Sequence, residues 1–198
     1  MNRREFFDRH AADWDATRSA DLEERLRRVI AEAGVTRGDT VLDVGTGTGV
    51  LIPLIASAVG GQGRLLAFDM SQEMARQAAD KARGLPALVV QADVHGLPCP
   101  DSVFDCVICN AALPHFEDRA HALRDMTRAL KPGGVLVVSH PIGREAVNAR
   151  HRAAGGPVGE DRVPPAEQMA EMLAAAGLTD PVVTDEPEFY LARATKRR

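Results

Sequence analysis

Short, uninterrupted apolar runs alternate with amphipathic segments along this chain, and this alternation constrains the fold more than any other feature. The runs are rich in Val, Leu and Ile and lie at 40–44, 64–68, 87–91, 104–109 and 134–138. Such runs are typical of parallel strands that are covered on both faces. Strands that alternate with helices indicate βαβ units. We therefore expect an α/β fold with a doubly wound, mostly parallel sheet and helices on both faces.

The amphipathic segments between and after these strands predict helices. They span residues 49–59, 71–83, 116–130 and 165–176. Ser71 is suited to cap the second helix, because its hydroxyl can accept a hydrogen bond from a free N–H of the first turn. The sequence Lys131-Pro-Gly-Gly134 should end the third, since glycine and proline stop helices.

The two ends of the chain flank this core. Residues 2–32 predict two helices that are split near Ser19. Residues 182–184 and 189–191 predict a hairpin-like pair of strands, and hence an antiparallel edge strand on the parallel sheet. The full expectation is a seven-stranded sheet in a single domain over residues 1–198.

Composition excludes several classes of protein. The chain has 198 residues, 45% hydrophobic and 26% charged, and a net charge of −4, which fits a globular domain and argues against a polyphosphate binder. Aromatic residues make up only 4%, so a platform for stacking nucleic-acid bases is not expected. No apolar run approaches the roughly 18–20 residues that span a bilayer, and the N-terminus lacks the apolar segment of a signal peptide. We expect a cytoplasmic protein that binds neither membranes nor nucleic acids.

Three cysteines, Cys99, Cys106 and Cys109, are an odd number. This argues against a disulfide framework and for a reducing compartment. Cys106 and Cys109 have the C-x-x-C spacing of redox or zinc sites, but they lie inside an apolar run. We therefore expect them to be buried core residues.

The loop after the first predicted strand reads Asp43-Val-Gly-Thr-Gly-Thr-Gly49. Its glycines allow a sharp turn and a close approach to a ligand, with the amides of the next helix facing the same point. A dinucleotide-binding fingerprint, Gly-x-Gly-x-x-Gly, fails here because its last position falls on Val50 or Ile52. Asp43 is instead suited to a cationic group of a ligand. The alternative is an aspartate that caps its own turn.

Acidic residues follow the next two strands. Asp69 lies about twenty residues after the loop, where a carboxylate can accept hydrogen bonds from ribose hydroxyls. The alternative is an N-cap for the following helix, although Ser71 can serve instead. Asp93 is placed to accept a hydrogen bond from an exocyclic adenine amine, or to cap its own loop.

These segments together resemble the class I S-adenosylmethionine-dependent methyltransferases, which have a Rossmann-like sheet. The resemblance rests on the glycine loop, on Asp69, on Ala92-Asp93, and on the stretches 105–110 and 123–134. It covers residues 35–140. Within the family, the chain is similar to the small-molecule branch that includes ubiquinone and menaquinone biosynthesis enzymes. The region from Phe6 to Asp15 resembles the opening helix of that branch.

The resemblance implies a cofactor, S-adenosylmethionine, and a set of residues that bind it. Gly45, Thr46, Gly47 and Gly49 would lie along the methionine part, and Asp43 would hold its amino group, directly or through water. Asp69 would take the ribose hydroxyls, and Met70 would lie against adenine. Asp93 and Val94 would read the adenine edge. Asn110, Ala111 and the turn 113–115 would face the sulfonium and the methyl acceptor.

The resemblance also divides the chain. It implies an N-terminal helical cap at 1–34, a cofactor-binding core at 35–140, a substrate-side loop at 141–165, and a C-terminal helix with strands at 166–198. The Gly- and Pro-rich residues 153–165 predict a mobile loop over the site. The implied partner is a small-molecule substrate, and the chain is expected to be a monomer or a homodimer.

Histidines near the predicted mouth are candidates for proton transfer, because their pKa lies near neutrality. His115 and His140 follow the fourth and fifth strands and are the candidate catalytic residues. Arg144 and His151 are candidate substrate contacts, since they lie in a basic segment that suits a carboxylate or phosphate on the acceptor. The alternative is a solvated lid. Trp14, in the opening helix that the resemblance places over the cofactor, is a third candidate contact. The spacing of His140, Glu145 and His151 fits no compact metal motif, so no metal is expected.

Three functions remain open on the sequence. The first is methyl transfer from S-adenosylmethionine to a small molecule. The second is a cofactor-binding scaffold or partner subunit without catalysis. The third, a nicotinamide-dependent oxidoreductase on a similar sheet, is disfavoured by the missing third glycine and by Asp43.

Overall fold

The computed structural model of the protein describes residues 1–16 and 20–198. Its helices are α1 (Arg3–His10), α2 (Ala20–Ala33), α3 (Ile52–Val59), α4 (Gln72–Lys81), α5 (Arg119–Ala129), α6 (Arg144–Ala154) and α7 (Ala166–Ala175). Its strands are β1 (Thr40–Val44), β2 (Arg64–Asp69), β3 (Ala87–Gln91), β4 (Phe104–Asn110), β5 (Leu130–His140), β6 (Leu178–Glu186) and β7 (Phe189–Lys196). The break predicted near Ser19 lies outside the described residues.

The described strands form a seven-stranded sheet in the order β3-β2-β1-β4-β5-β7-β6. Strands β1 to β5 are parallel, and β7 runs antiparallel to both β5 and β6. This confirms the predicted doubly wound, mostly parallel sheet with antiparallel C-terminal strands. The antiparallel strand β7 lies one position in from the edge, which β6 occupies.

The C-terminal strands are longer than their apolar runs. Strand β6 begins at Leu178 and passes through Pro181, where its register against β7 shifts between Thr179 and Val182. Proline is tolerated there because β6 is an edge strand and its outer N–H groups have no ladder partner. Pro181 concealed the first half of this strand in the sequence.

Helices pack on both faces of the sheet and enclose two clusters of buried apolar residues. Cys109 belongs to one cluster and Cys106 to the other, because an odd separation in a strand places two side chains on opposite faces. Burial raises the pKa of Cys106 to about 12. Both cysteines are therefore core residues, as predicted, and cannot share a metal or a disulfide. Within the described residues, no helix has the length and apolar character needed to cross a membrane.

Two segments differ from their predicted roles. Residues 141–165 were expected to form a loop, but α6 occupies Arg144–Ala154. Its Val147 and Asn148 are buried, and Asn148 exchanges hydrogen bonds with the backbone of Val163. The many arginines of α6 concealed this buried stripe. Helix α2, expected in the cap, instead packs against α3 and the sheet, where Leu26 and Val29 are buried.

Candidate functional site

A cavity of about 390 Å³ opens at the carboxyl ends of β1, β2 and β4, the edge where doubly wound sheets bind ligands. Most of the residues singled out from the sequence line it. These are Trp14, Gly45, Thr46, Gly47, Asp69, Met70, Asp93, Val94, Asn110 and His115. Five of the predicted residues, Asp43, Gly49, His140, Arg144 and His151, are not part of its wall.

The three loop glycines have different roles. Gly45 has a φ of +70°, and a Cβ there would overlap the Cβ of Ala112. Gly47 has a φ of +56° and open space around it. Gly49 faces α4, where a Cβ would lie 2.8 Å from the Cα of Ala78. Gly49 thus packs the loop against a helix and is not part of the cavity wall, and its contact with a ligand stays a prediction.

Gly45→Ala should destabilise the protein by about 2–4 kcal/mol, because it combines backbone strain with a clash that Ala112 cannot relieve. The matched control is Gly47→Ala, which adds the strain without the clash and should cost about 1 kcal/mol. Urea denaturation of both variants measures the difference. Equal losses would show that the approach of Ala112 to the loop is not constraining.

Asp43 lies beneath the loop rather than on the cavity wall. It is only 1% exposed, and its Oδ2 accepts a hydrogen bond from the Thr46 hydroxyl at 2.6 Å. Desolvation raises its pKa to about 7, against the Thr46 hydrogen bond, which lowers it. A direct contact between Asp43 and a ligand is thus not what this structure shows.

Asp69 ends β2 and fixes the loop. Its Oδ2 accepts from the N–H of Gly47 at 2.8 Å, and its Oδ1 accepts from the N–H of Ser71 at 2.9 Å. Burial raises the pKa of Asp69, while these two hydrogen bonds oppose the rise. Ser71 itself caps α4 by accepting from the N–H of Met74. Asp69 is therefore not the helix cap, and it faces the cavity with lone pairs left for a ligand.

Asp93 makes the loop-capping contact that the sequence left as an alternative. Its Oδ1 accepts from the backbone N–H of His95 and lies 2.9 Å from the His95 Nδ1. Burial alone would raise the pKa of Asp93, but the hydrogen bonds from His95 outweigh it and lower the pKa. Both of these hydrogen bonds fall on Oδ1, which leaves Oδ2 for a ligand. Sequence reasoning missed His95, which also lines the cavity.

The segment 1–16 supplies one wall of the cavity through Arg3, Phe7 and Trp14. It is held to α4 by hydrogen bonds from Ser71 to Asp8 and from Gln77 to the carbonyl of Ala11, and by an ion pair between Lys81 and Asp15. On the other side, Arg3 pairs with Asp161 at 2.6 Å. The segment thus bridges two walls of the cavity.

His115 lines the cavity from the segment that follows β4. It lies in the short helical turn Leu113–His115, and its Nδ1 is 2.7 Å from the Oδ2 of Asp161. Its ring packs edge-on against Phe7 and lies 4.8 Å from the ring of His151. Just before this turn, Ala111 has a φ of +56°, a strained conformation for a residue with a side chain. Asp161 was not found from the sequence, whereas Ala111 was placed at this site and lines the cavity.

The remaining candidates are held elsewhere. His140 is 2% exposed and pairs with Tyr190 in the β5–β7 ladder. Desolvation, with smaller contributions from His115 and His151, lowers the pKa of His140 to about 3. It therefore stays neutral, and the structure does not support it as a catalytic residue. Arg144 pairs with Asp185 at 2.7 Å on the outside of the sheet. Among the described residues, no group of three potential metal ligands is close enough to hold a metal ion.

Residues 42–138 match the methyltransferase domain family. A crystal structure of an S-adenosylmethionine-dependent methyltransferase from Aquifex aeolicus superposes with a TM-score of 0.79 at 25% identity and covers 95% of this chain and 97% of that one. Residues 42–138 of the chain belong to the S-adenosylmethionine-dependent methyltransferases. This confirms the family and the cofactor expected from the sequence, and it decides against the oxidoreductase.

Three further proteins are similar to the chain in sequence or in fold. The ubiquinone/menaquinone biosynthesis C-methyltransferase UbiE of Enterobacter sp. is 40% identical over 117 residues, which are 56% of this chain and 47% of that protein. An uncharacterised 37.1 kDa transposon protein of Streptomyces fradiae is 37% identical over 64% of this chain and 37% of its own length. The chain thus spans less than half the length of these relatives. A putative Haloferax volcanii methyltransferase, solved with the Trm112 activator, shares the fold at 21% identity and a TM-score of 0.79.

Proposed function

We propose that the protein transfers the methyl group of S-adenosylmethionine to a small-molecule acceptor that reaches the cavity beside His115. One observation carries this proposal. A single cavity joins the glycine loop and Asp69 to His115. Its volume of about 390 Å³ is suited to small molecules.

The residues present fit the cofactor. Asp69 has lone pairs free for ribose hydroxyls, and the Asp93 Oδ2 is free for the amine of adenine. Met70, Met74 and Val94 supply apolar wall for an adenine ring. A Cβ added at Gly47 would meet no atom of the described residues within 4 Å, so the backbone offers an open cradle to the amino-acid part. The buried charge of Asp43 beneath this cradle suits a cationic ligand.

The cofactor, when bound, supplies an electrophilic methyl group on a sulfonium sulfur. The sulfur becomes the neutral thioether of the leaving group when the acceptor's electron pair bonds to the methyl carbon. The protein's part is to align the acceptor and to exclude water, which can contribute several kcal/mol to the barrier reduction. Phe7 and Trp14, on the segment 1–16, form an apolar part of the cavity wall. His115 is placed to take the proton of an O–H, N–H or activated C–H acceptor.

Asp69→Ala should weaken binding of S-adenosylmethionine by about 1–3 kcal/mol, because it removes charge-assisted hydrogen bonds to the ribose. Calorimetric titration with S-adenosylmethionine, S-adenosylhomocysteine and NADH measures this, with exposed Asp80→Ala on α4 as the control. Equal affinities of the Asp69 and Asp80 variants would show that Asp69 only supports the loop. Binding of NADH alone by the unaltered protein would overturn the cofactor assignment.

Catalysis is tested by release of S-adenosylhomocysteine with a panel of acceptors. The relatives named for C-methylation in quinone biosynthesis make hydroquinone and a naphthohydroquinone reasonable members, beside catechol, imidazole and thiophenol. Turnover with any of them supports an enzyme. Cofactor binding without turnover on any acceptor would favour the scaffold alternative.

The cytoplasmic location and the monomeric or homodimeric state belong to the same proposal. Light scattering on the purified protein separates one copy from two directly.

A further inference from the structure

A buried carboxylate outside the family-matched region joins the two sides of the cavity. Asp161 lies between α6 and α7 and is 3% exposed. Its Oδ2 is 2.7 Å from the Nδ1 of His115, and its Oδ1 accepts from the guanidinium of Arg3 at 2.6 Å. Each oxygen of the carboxylate thus contacts a side chain from a different wall of the cavity.

Several backbone contacts hold Asp161 in this place. Its N–H donates to the carbonyl of Val158, and its own carbonyl lies 3.0 Å from the Nδ1 of His151. The same carbonyl accepts from the guanidinium of Arg162 at 2.8 Å. A carboxylate held by its own backbone on three sides can orient a neighbouring ring with little loss of entropy on binding.

Asp161 is ionised at neutral pH. Burial alone would raise its pKa, but the hydrogen bonds from His115 and Arg3 outweigh burial and lower the pKa. An ionised carboxylate can only accept hydrogen bonds. The Nδ1 of His115 must therefore carry the proton, and the Nε2 of the neutral ring is left bare as the basic nitrogen.

Among the described residues, Asp161 is the one carboxylate that lies within hydrogen-bond distance of His115. The other titratable or charged groups that face this region come from several elements: Arg3 of α1, Asp69 of β2, Arg119 of α5, His140 of β5 and His151 of α6. Desolvation lowers the pKa of both His140 and His151. Burial thus disfavours a charged ring at His140 and His151, whereas His115 lies in hydrogen-bond contact with the Asp161 carboxylate.

We propose that Asp161 is a positioning residue that fixes the Nδ1–H tautomer of His115, and that Arg3 moderates it by sharing the same carboxylate. The inference rests on the proposed methyl transfer, in which Nε2 receives the acceptor's proton as the methyl bond forms. The resulting imidazolium is stabilised by Asp161 and opposed by the charge of Arg3. Through Arg3, the segment 1–16 thus acts on the candidate base His115, in addition to forming part of the cavity wall.

The tautomer can be observed without any substrate. Long-range ¹H–¹⁵N spectra of ¹⁵N-histidine-labelled protein distinguish Nδ1–H from Nε2–H, and His115→Gln assigns the signal. We expect Nδ1–H in the unaltered protein and Nε2–H in Asp161→Asn, whose amide can donate to Nδ1. Glu160→Gln, the neighbouring carboxylate with a fully exposed side chain, is the matched control and should keep Nδ1–H. An Nε2–H signal in the unaltered protein, or the same tautomer in Asp161→Asn, would overturn the proposal.

Kinetics supply the second readout, with the best acceptor of the panel. Asp161→Asn should lower kcat by about 100-fold with little change in the KM for S-adenosylmethionine, because the wrong nitrogen then faces the acceptor. The acidic limb of the pH–kcat profile should move to lower pH in Asp161→Asn and to higher pH in Arg3→Met. Shifts in the same direction would refute the shared-carboxylate role. If Asp161→Asn does not fold, the direction in which Arg3→Met moves the acidic limb of the pH–kcat profile still tests the proposal, and a shift to lower pH would refute it. Absence of turnover in the unaltered protein would refute the proposed function, while the tautomer would still test Asp161.

Discussion

Replacing Asp43 with asparagine should stabilise the free protein at about pH 8 while weakening its binding of S-adenosylmethionine. Burial raises the pKa of Asp43 to about 7 in the folded state, from an ordinary value of 3.8. The folded state therefore binds more protons than the unfolded state between about pH 4 and 7, and its free energy of unfolding falls as the pH rises through that range. The loss attributable to this one group reaches up to about 4 kcal/mol. Asparagine avoids it, because its side-chain oxygen can still accept from Thr46.

Urea denaturation at about pH 5 and about pH 8 tests the stability half of this prediction. The gain should be present at about pH 8 and mostly absent at about pH 5, where Asp43 is already protonated. Asp80→Asn is the control, since that carboxylate is exposed and should give no pH-dependent gain. A gain of the same size at both pH values would show that the effect is not ionisation of Asp43.

Calorimetry tests the binding half. A cationic ligand above the loop favours ionised Asp43, so the affinity for S-adenosylmethionine should rise with pH through about 7. The asparagine variant should bind about tenfold more weakly at about pH 8 and should lose this pH dependence. An unchanged affinity would mean that Asp43 is only a structural partner of Thr46.

The sheet could be predicted from the sequence because its signal is local. Continuous runs rich in Val and Leu mark β1 to β5, and each run is followed by the polar or glycine residue that reaches the carboxyl edge. The residues at that edge, from Gly45 to Asp69 and Asn110, were correctly brought to one cavity. Parallel topology alone implies that convergence.

The acceptor side could not be predicted because its contacts are not local. Asp161 is 46 residues from His115 in sequence and sits in a Gly- and Pro-rich stretch that resembles a solvated loop. His140 is the last residue of β5, a position typical of the cavity mouth, but it pairs with Tyr190 of β7 and is buried. How deeply a residue at a strand end is buried depends on which later element covers it. The position of β7 between β5 and β6, and helix α6, are the two features that the sequence predicts least well.

His115→Gln should lower kcat by about 100-fold or more and leave the affinity for S-adenosylmethionine within about twofold, because a general base acts on the acceptor and not on the bound cofactor. The geometry separates these functions: His115 lines the cavity and bonds to Asp161. Asp69 is the last residue of β2, and Asp93 lies on the loop that follows β3. Glutamine retains a hydrogen-bonding side chain at this position but cannot accept a proton near neutral pH.

The matched control for His115 is His121→Gln on α5, whose side chain is 46% exposed. Its kcat should equal that of the unaltered protein. Rates measured on S-adenosylhomocysteine release, with cofactor affinity from calorimetry, divide the two effects. A loss of affinity equal to the loss of kcat would place His115 on the cofactor rather than on the acceptor. An unchanged kcat with an acceptor that carries a proton would show that transfer proceeds by alignment alone, since the sulfonium methyl then needs no base beyond water.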